Sequence, residues 1–200
     1  MIMAQKGKKR LCILILMESF MRISIGKQKG CDTMKGEAYR SMSAYFSETK
    51  VRNHTIKALH DVLPLVVYIF YPVQLITLAV NEGMTSEVFL RFTLIPLFTL
   101  IAVSIVRAVI NARRPYEVYD YTPPVNKETK GKSFPSRHTV CAFIIAMAFL
   151  YIQTKIGVVM LVIAAAIGVT RVLAGVHFVR DVISGAAIGV VIGLLGFFVF

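Results

Sequence analysis

Five stretches of the chain carry no acidic or basic side chain: 62–80, 92–106, 139–154, 156–170 and 182–200. The first and last are 19 residues long, close to the ~20 apolar residues that cross a hydrocarbon core. The middle three are shorter. They reach that length only if flanking charges snorkel or face a polar cavity. The pattern predicts membrane-crossing helices at 61–80, 88–111, 136–154, 156–174 and 178–199. Pro64 and Pro72 predict kinks in the first. "NEGMTSE" and "TKIG" are short turns. Between the second and third helices lies a polar loop of about 25 residues, a length that marks a functional or disordered segment. Gly185, Gly189 and Gly193 recur every fourth residue in the last helix, a stripe where another helix can approach closely.

The expected fold class is therefore all-α, a polytopic membrane bundle of five transmembrane helices, or six if a segment within 11–25 also crosses. Composition agrees. Hydrophobic residues make up 56% of the chain and mean hydropathy is +0.66, against ~45–50% apolar residues in soluble domains. A soluble helical protein would have too little polar surface to cover five such runs.

Residues 1–57 differ from the rest, holding 12 of the 23 Lys and Arg. They read as a basic N-terminal tail, partly disordered or amphipathic, with 58–200 as the membrane domain. "KGKKRLCILILM" imitates a signal peptide, but its apolar stretch is short and no small-residue cleavage site follows. Met34 and Met42 are alternative starts. Residues 37–61 read as an interfacial helix leading into the first span.

Net charge is +12. The bases flank apolar spans, which points to anionic headgroups or phosphorylated substrates rather than to nucleic acid. Cys12, Cys31 and Cys141 lack metal-ligand spacing, so neither a disulfide nor a zinc site is expected; Cys141 reads as packing. No carboxylate cluster suited to Mg²⁺ is present, and no cofactor is called for.

Three polar clusters interrupt the apolar pattern. Arg107 and Arg114 are seven residues apart, two helical turns, with Pro115 ending the helix. Ser136, Arg137 and His138 stand at the mouth of the third helix, where Pro135 fits a first turn and free N–H groups favour an anion. Arg171, His177 and Asp181 flank Gly175. His177 and Asp181, four apart, share a helix face, and the chain is expected to break near Gly175. Alternating helices bring all three clusters to one membrane side. Four guanidinium groups there would repel without an anion, and arginine forks match phosphate oxygens. A histidine nitrogen can act as a phosphoryl-accepting nucleophile; His177 beside Asp181 fits. A second, protonated histidine can donate to the leaving oxygen; His138 fits.

The motifs R-x6-RP, PSRH and TR-x5-H-x3-D, spanning 107–181, resemble the three-part signature of the type 2 phosphatidic acid phosphatase family, within the acid phosphatase/vanadium haloperoxidase superfamily. Its usual form is K-x6-RP, PSGH and SR-x5-H-x3-D. The resemblance implies His177 as nucleophile, Asp181 as its orienting partner and His138 as general acid. It implies Arg107, Arg114, Ser136 and Arg171 as phosphate ligands, with the backbone at Arg137 helping. It implies a metal-independent phosphatase in the plasma membrane acting on a lipid phosphate, such as phosphatidic acid or phosphatidylglycerophosphate, or on an isoprenoid diphosphate. Arg107 replaces lysine, Thr170 replaces serine, and Arg137 replaces glycine. The last change either adds a phosphate contact or narrows the pocket. It is the one feature favouring an alternative, a non-catalytic phospholipid-headgroup-binding protein of the same fold.

Lys132, near PSRH, is a further candidate phosphate contact. Tyr116, Tyr119 and Tyr121 fit an interfacial aromatic belt. His60 and Asp61 are expected at the interface. With five helices all basic residues but Arg91 and Lys155 fall on the side of the clusters, which by charge bias is the cytoplasmic side; a sixth span within 11–25 carries Lys6, Lys8, Lys9 and Arg10 to the other side, and sidedness stays open. Bacterial members of the resembled family commonly act on the outer face.

Overall fold

A computed structural model of the protein describes residues 32–125 and 129–199. The segment within 11–25, Cys12, Cys31 and Lys127 lie outside the described residues. By internal contacts the chain divides after Ala38, within the first helix, and every side-chain contact described below belongs to the unit that starts at Tyr39.

Among the described residues seven α-helices follow in order: α1 Asp32–Glu48, α2 Lys50–Asn81, α3 Glu87–Ile110, α4 Pro115–Tyr119, α5 Arg137–Ile152, α6 Thr154–Leu173 and α7 Val179–Leu194, which passes into a π-helical turn at Leu195–Val199. Among the described residues there is no strand. Four of the described helical stretches are long and apolar enough to cross a membrane; α5, at 16 residues, is apolar but shorter. At ~1.5 Å per residue it spans ~24 Å, short of a ~30 Å hydrocarbon core. Its position explains this. It packs against α2, α3, α6 and α7, and Ala142 and Ile144 to Phe149 are buried. A helix enclosed by other helices meets protein rather than lipid along much of its length.

The outer faces are the reverse of a soluble protein's. Ile76 on α2 and Phe98 and Ile105 on α3 are 64%, 62% and 60% exposed. Contiguous apolar surface of this extent belongs in lipid. The chain is a multi-pass membrane protein.

The helix borders have local causes. The stretch 37–61 is not one helix: the chain breaks at Thr49, which has extended backbone and whose Oγ1 caps the Arg52 N–H at 3.4 Å. Residues 50–60 are continuous with the first span. Hydropathy sees only the lipid-facing part of a helix, whereas the helix itself begins at its cap. Ser86 caps α3 by accepting from Phe89 N–H at 3.3 Å, and Asn111 ends α3 in the left-handed region.

Pro64 and Pro72 lie inside α2 and Pro96 inside α3. Each lacks the N–H that would satisfy the carbonyl four residues back, and two of the freed carbonyls have other donors. Tyr71 Oη donates to Phe92 O at 3.0 Å, opposite Pro96, and the Tyr71 and Phe92 rings stack at 5.1 Å. Arg171 Nη2 donates to His60 O, opposite Pro64. Such re-satisfaction by a neighbouring helix is what lets proline persist in lipid.

The glycine stripe of α7 packs on α5. A Cβ at Gly185, Gly189 or Gly193 would lie 2.9 Å from Ser136 O, 2.7 Å from Phe143 Cβ or 2.5 Å from Met147 Cβ. This close approach carries the start of α7 against the start of α5, where the polar clusters are.

Candidate active site

The end of α3, the start of α5 and the α6–α7 junction meet at one end of the bundle. Ser133 N–H donates to Ala112 O at 2.8 Å, and Ser136 N–H donates to Asp181 O at 2.9 Å. The first contact ties the segment before α5 to α3, and the second ties it to α7.

His177 does not share a helix with Asp181, as their spacing predicted. α6 stops at Leu173, Gly175 turns the chain at φ +67°, and α7 begins only at Val179. Gly175 is required there twice over, since a Cβ would also lie 2.8 Å from Tyr121 Oη. The chain break near Gly175 is thus present, but it takes His177 out of the helix. The His177 and Arg171 stretches are joined instead through the backbone, with His177 N–H donating to Arg171 O at 3.3 Å.

His177 is 3% exposed and Asp181 is fully buried. His177 Nδ1 is 3.5 Å from Asp181 Oδ2 and 3.4 Å from Ser133 Oγ. The shorter bonds to that carboxylate come from elsewhere. Ser133 Oγ donates to Oδ2 at 2.6 Å and Phe178 N–H at 3.1 Å, the latter being half of a capping box at the start of α7. Ser133, absent from the sequence-level candidates, therefore stands between the histidine and its carboxylate. Its only signal was its place three residues ahead of Ser136. Burial pushes the His177 imidazole down to about 4; Asp181 pulls it up, while Arg114 and Arg107 add to the depression. At neutral pH the ring is uncharged. Nε2 is the nitrogen that these contacts leave over.

Arg107 and Arg114 are both buried. Arg107 Nη1 donates to Pro135 O and, at 3.4 Å, to Ser133 O. Arg114 Nε donates to Gly131 O at 3.0 Å, and its Nη1 to Val176 O at 3.2 Å. Its guanidinium so spans from the long loop to the residue before His177. Glu117 fixes this loop, a role that sequence reasoning missed: its Oε2 accepts from Arg114 N–H and Gly131 N–H, both at 2.8 Å. The short α4 starts at Pro115, directly after Arg114.

Arg171 is 2% exposed and contacts His60 of α2 through ring and carbonyl. The interfacial placing of His60 is corrected here: the residue is 8% exposed and faces Arg171, while Asp61 is largely exposed. Ser136 is fully buried at the cap position of α5 and accepts from Thr139 Oγ1 at 2.9 Å. Arg137 and His138 open α5, the first exposed and the second half-buried. Thr170 is buried and donates to Ile167 O within its own helix at 2.8 Å. Lys132 is exposed, with its N–H donating to Asn111 Oδ1 at 3.2 Å.

The loop tyrosines brace the site rather than form a belt. Tyr121 Oη donates to Gly175 O at 2.7 Å, Tyr116 Oη to Thr129 O, and Tyr119 is buried against Tyr39 and Phe178 with ring centroids at 5.8 and 6.0 Å. Arg40 of α1 donates twice to Tyr119 O, at 2.9 and 2.7 Å.

The description "PAP2 superfamily" matches residues 53–200, a range that contains all three motifs. The chain belongs to this superfamily. Among relatives of this PAP2 protein, it is 38% identical over 85 residues to a Bacillus licheniformis protein named bacitracin transport permease protein BcrC, covering 41% of this chain and 42% of that one. It is 34% identical over 118 residues to a lipid A 1-phosphatase of Rhizobium johnstonii, covering 56% and 47%. The matches span less than half the length of these curated relatives. Among solved structures, LpxE of Aquifex aeolicus superposes with a TM-score of 0.61 at 24% identity, covering 80% of this chain and 92% of that one. At that identity the likeness establishes the fold.

Proposed function

We propose that this PAP2 protein is an integral-membrane phosphatase of the plasma membrane that removes phosphate from a lipid phosphate or an isoprenoid diphosphate through a phosphohistidine. The reading rests on one observation above all: a buried imidazole held beside a buried carboxylate, with arginines brought from distant parts of the chain around it.

His177 Nε2 attacks phosphorus and forms a P–N bond as the P–O bond to the lipid breaks. The departing oxygen takes a proton from His138. Water then attacks the phosphohistidine with His138 as base, the P–N bond breaks, and orthophosphate leaves. Asp181, oriented by Ser133, stabilises the charge that develops on His177. Arg107, Arg114 and Arg171 hold the three oxygens whose charge rises in the transition state. At the start of α5, Ser136 Oγ and the backbone N–H of Arg137 add donors at a positive helix end. Arg137 is exposed whereas Ser136 and Thr139 are fully buried. An exposed side chain at this position does not fill the buried space beside Ser136, which favours an enzyme over the headgroup-binding alternative. At the rim it suits a second phosphate or a headgroup, as does Lys132. A site at one end of the bundle suits a substrate whose tail remains in lipid.

The test is phosphate release by purified protein in detergent, with EDTA present, on a panel of lipid monophosphates and diphosphates. His177→Ala is expected to abolish release from every lipid at unchanged protein level. Turnover that persists in that variant removes the nucleophile.

A further inference from the structure

Outside the three motifs and the loop between them, α2 also reaches into the site. Arg171 Nη1 is hydrogen-bonded to His60 Nε2, and Nη2 donates to His60 O at 3.0 Å. A guanidinium has no acceptor atom, so Nε2 must accept, which makes His60 neutral with its proton on Nδ1. Nδ1 lies 2.8 Å from Asp61 Oδ1 and so donates to it. Asp61 thereby sets the tautomer that Arg171 needs.

The carbonyl contact has a cause in the sequence. In an uninterrupted helix the amide of residue 64 would donate to the carbonyl of residue 60. Residue 64 is proline and has no N–H, so the His60 carbonyl is left for Arg171. Both contacts come from one residue of α2, and together they fix two of the three guanidinium nitrogens. The third, Nε, is buried and has no hydrogen-bond partner among the described residues. A buried unpaired donor is costly, and a phosphate oxygen is a group that would satisfy it.

We propose that His60 is a positioning residue: its ring, set by Asp61, and its carbonyl, freed by Pro64, clamp Arg171 so that Nε is presented to the phosphate. The inference rests on the reading of Arg171 as a phosphate ligand and extends the site to α2, which contributes nothing to the three motifs.

The test uses the full chain in detergent with two readouts, phosphate release from a lipid phosphate and binding of inorganic orthophosphate. Losing bonds of this kind from a buried charged group is expected to lower kcat/KM and weaken orthophosphate binding roughly 10- to 100-fold in His60→Ala. His60→Gln offers an amide oxygen to Nη1 and recovers most of the loss. Pro64→Ala leaves the ring alone, favours the helix, and returns an N–H that competes for the carbonyl; it falls between wild type and His60→Ala. Because His60 acts through Arg171, Arg171→Ala and the double variant with His60→Ala behave alike. Wild-type behaviour of His60→Ala, or a further loss added to that of Arg171→Ala, overturns the clamp. Protein that releases no phosphate but binds orthophosphate with the same order of variants sinks the phosphatase reading and leaves the clamp standing. Protein that does neither sinks both.

Discussion

Arginine is held in two different ways in this molecule. Arg107 and Arg114 are gripped by loop carbonyls: those of Ser133, Pro135 and Gly131 in the long loop and of Val176 in the α6–α7 junction. Arg171 is gripped by a helix, through the His60 ring and the carbonyl that Pro64 releases. In both regions a charge that would resist burial is made tolerable by acceptors that remain neutral. The difference lies in what supplies the acceptors. Loop carbonyls exist only where the loop folds correctly, so that side of the site depends on Glu117, Ser133 and the loop tyrosines. The helix side depends on α2 lying against α6.

The largest effect should come from breaking the loop side at Arg114. Lysine keeps the charge but cannot bridge Gly131 O and Val176 O with one planar fork. Arg114→Lys is expected to lower kcat/KM by roughly 10²- to 10³-fold, the scale for losing a preorganised charge-stabilising group. A loss below tenfold would mean that the fork is dispensable. Next comes Ser133→Ala, which removes the 2.6 Å donor to Asp181. A loss of about tenfold in kcat with little change in KM follows from one bond to a charged group.

The pH dependence sharpens the same contrast, because His177 lies next to the loop-held arginines. Its folded value of about 4 is below the ordinary 6.5, chiefly through burial. Between those two values the unfolded chain binds a proton that the native chain does not. Stability therefore rises with pH across that window and gains nothing more from this group above it. On the proposed mechanism the neutral imidazole must persist for attack, and it does so down to about pH 4, so the acid limb of kcat/KM set by His177 is expected there. Asp181→Asn removes an upward pull and should move that limb lower as the rate falls. A limb at the ordinary histidine value in the wild type would mean that the ring is not buried during turnover.

The smallest effect is expected at Glu117. Its carboxylate accepts two backbone N–H groups at 2.8 Å, and Glu117→Ala should cost about 1–3 kcal/mol of stability. The measurement is thermal unfolding in detergent. Glu117→Gln, which keeps one acceptor oxygen, should lose less.

Some of this was readable along the chain. The five charge-free runs begin in α2, α3, α5, α6 and α7, and the predicted ends of the later four lie within two residues of the observed ones when the π-helical turn Leu195–Val199 is counted with α7. For α2 the prediction began eleven residues late, because Thr49 and not hydropathy sets its start. The break at Gly175 and the packing of the α7 glycines were legible too. The place of His177 outside a helix, the serine between it and Asp181, and the inward turn of His60 were not.

The sequence by itself determined that the protein crosses a membrane as a helical bundle, and that charged motifs with family spacing sit at the ends of its spans. Transfer of side chains into lipid is a local property, summed residue by residue, so a single chain read in order is enough to show it. Only the tertiary structure decided which neutral acceptor each arginine finds. That choice depends on backbone carbonyls and on residues up to 111 positions apart, and hydrogen bonds are short and directional, so no periodicity along the chain records them.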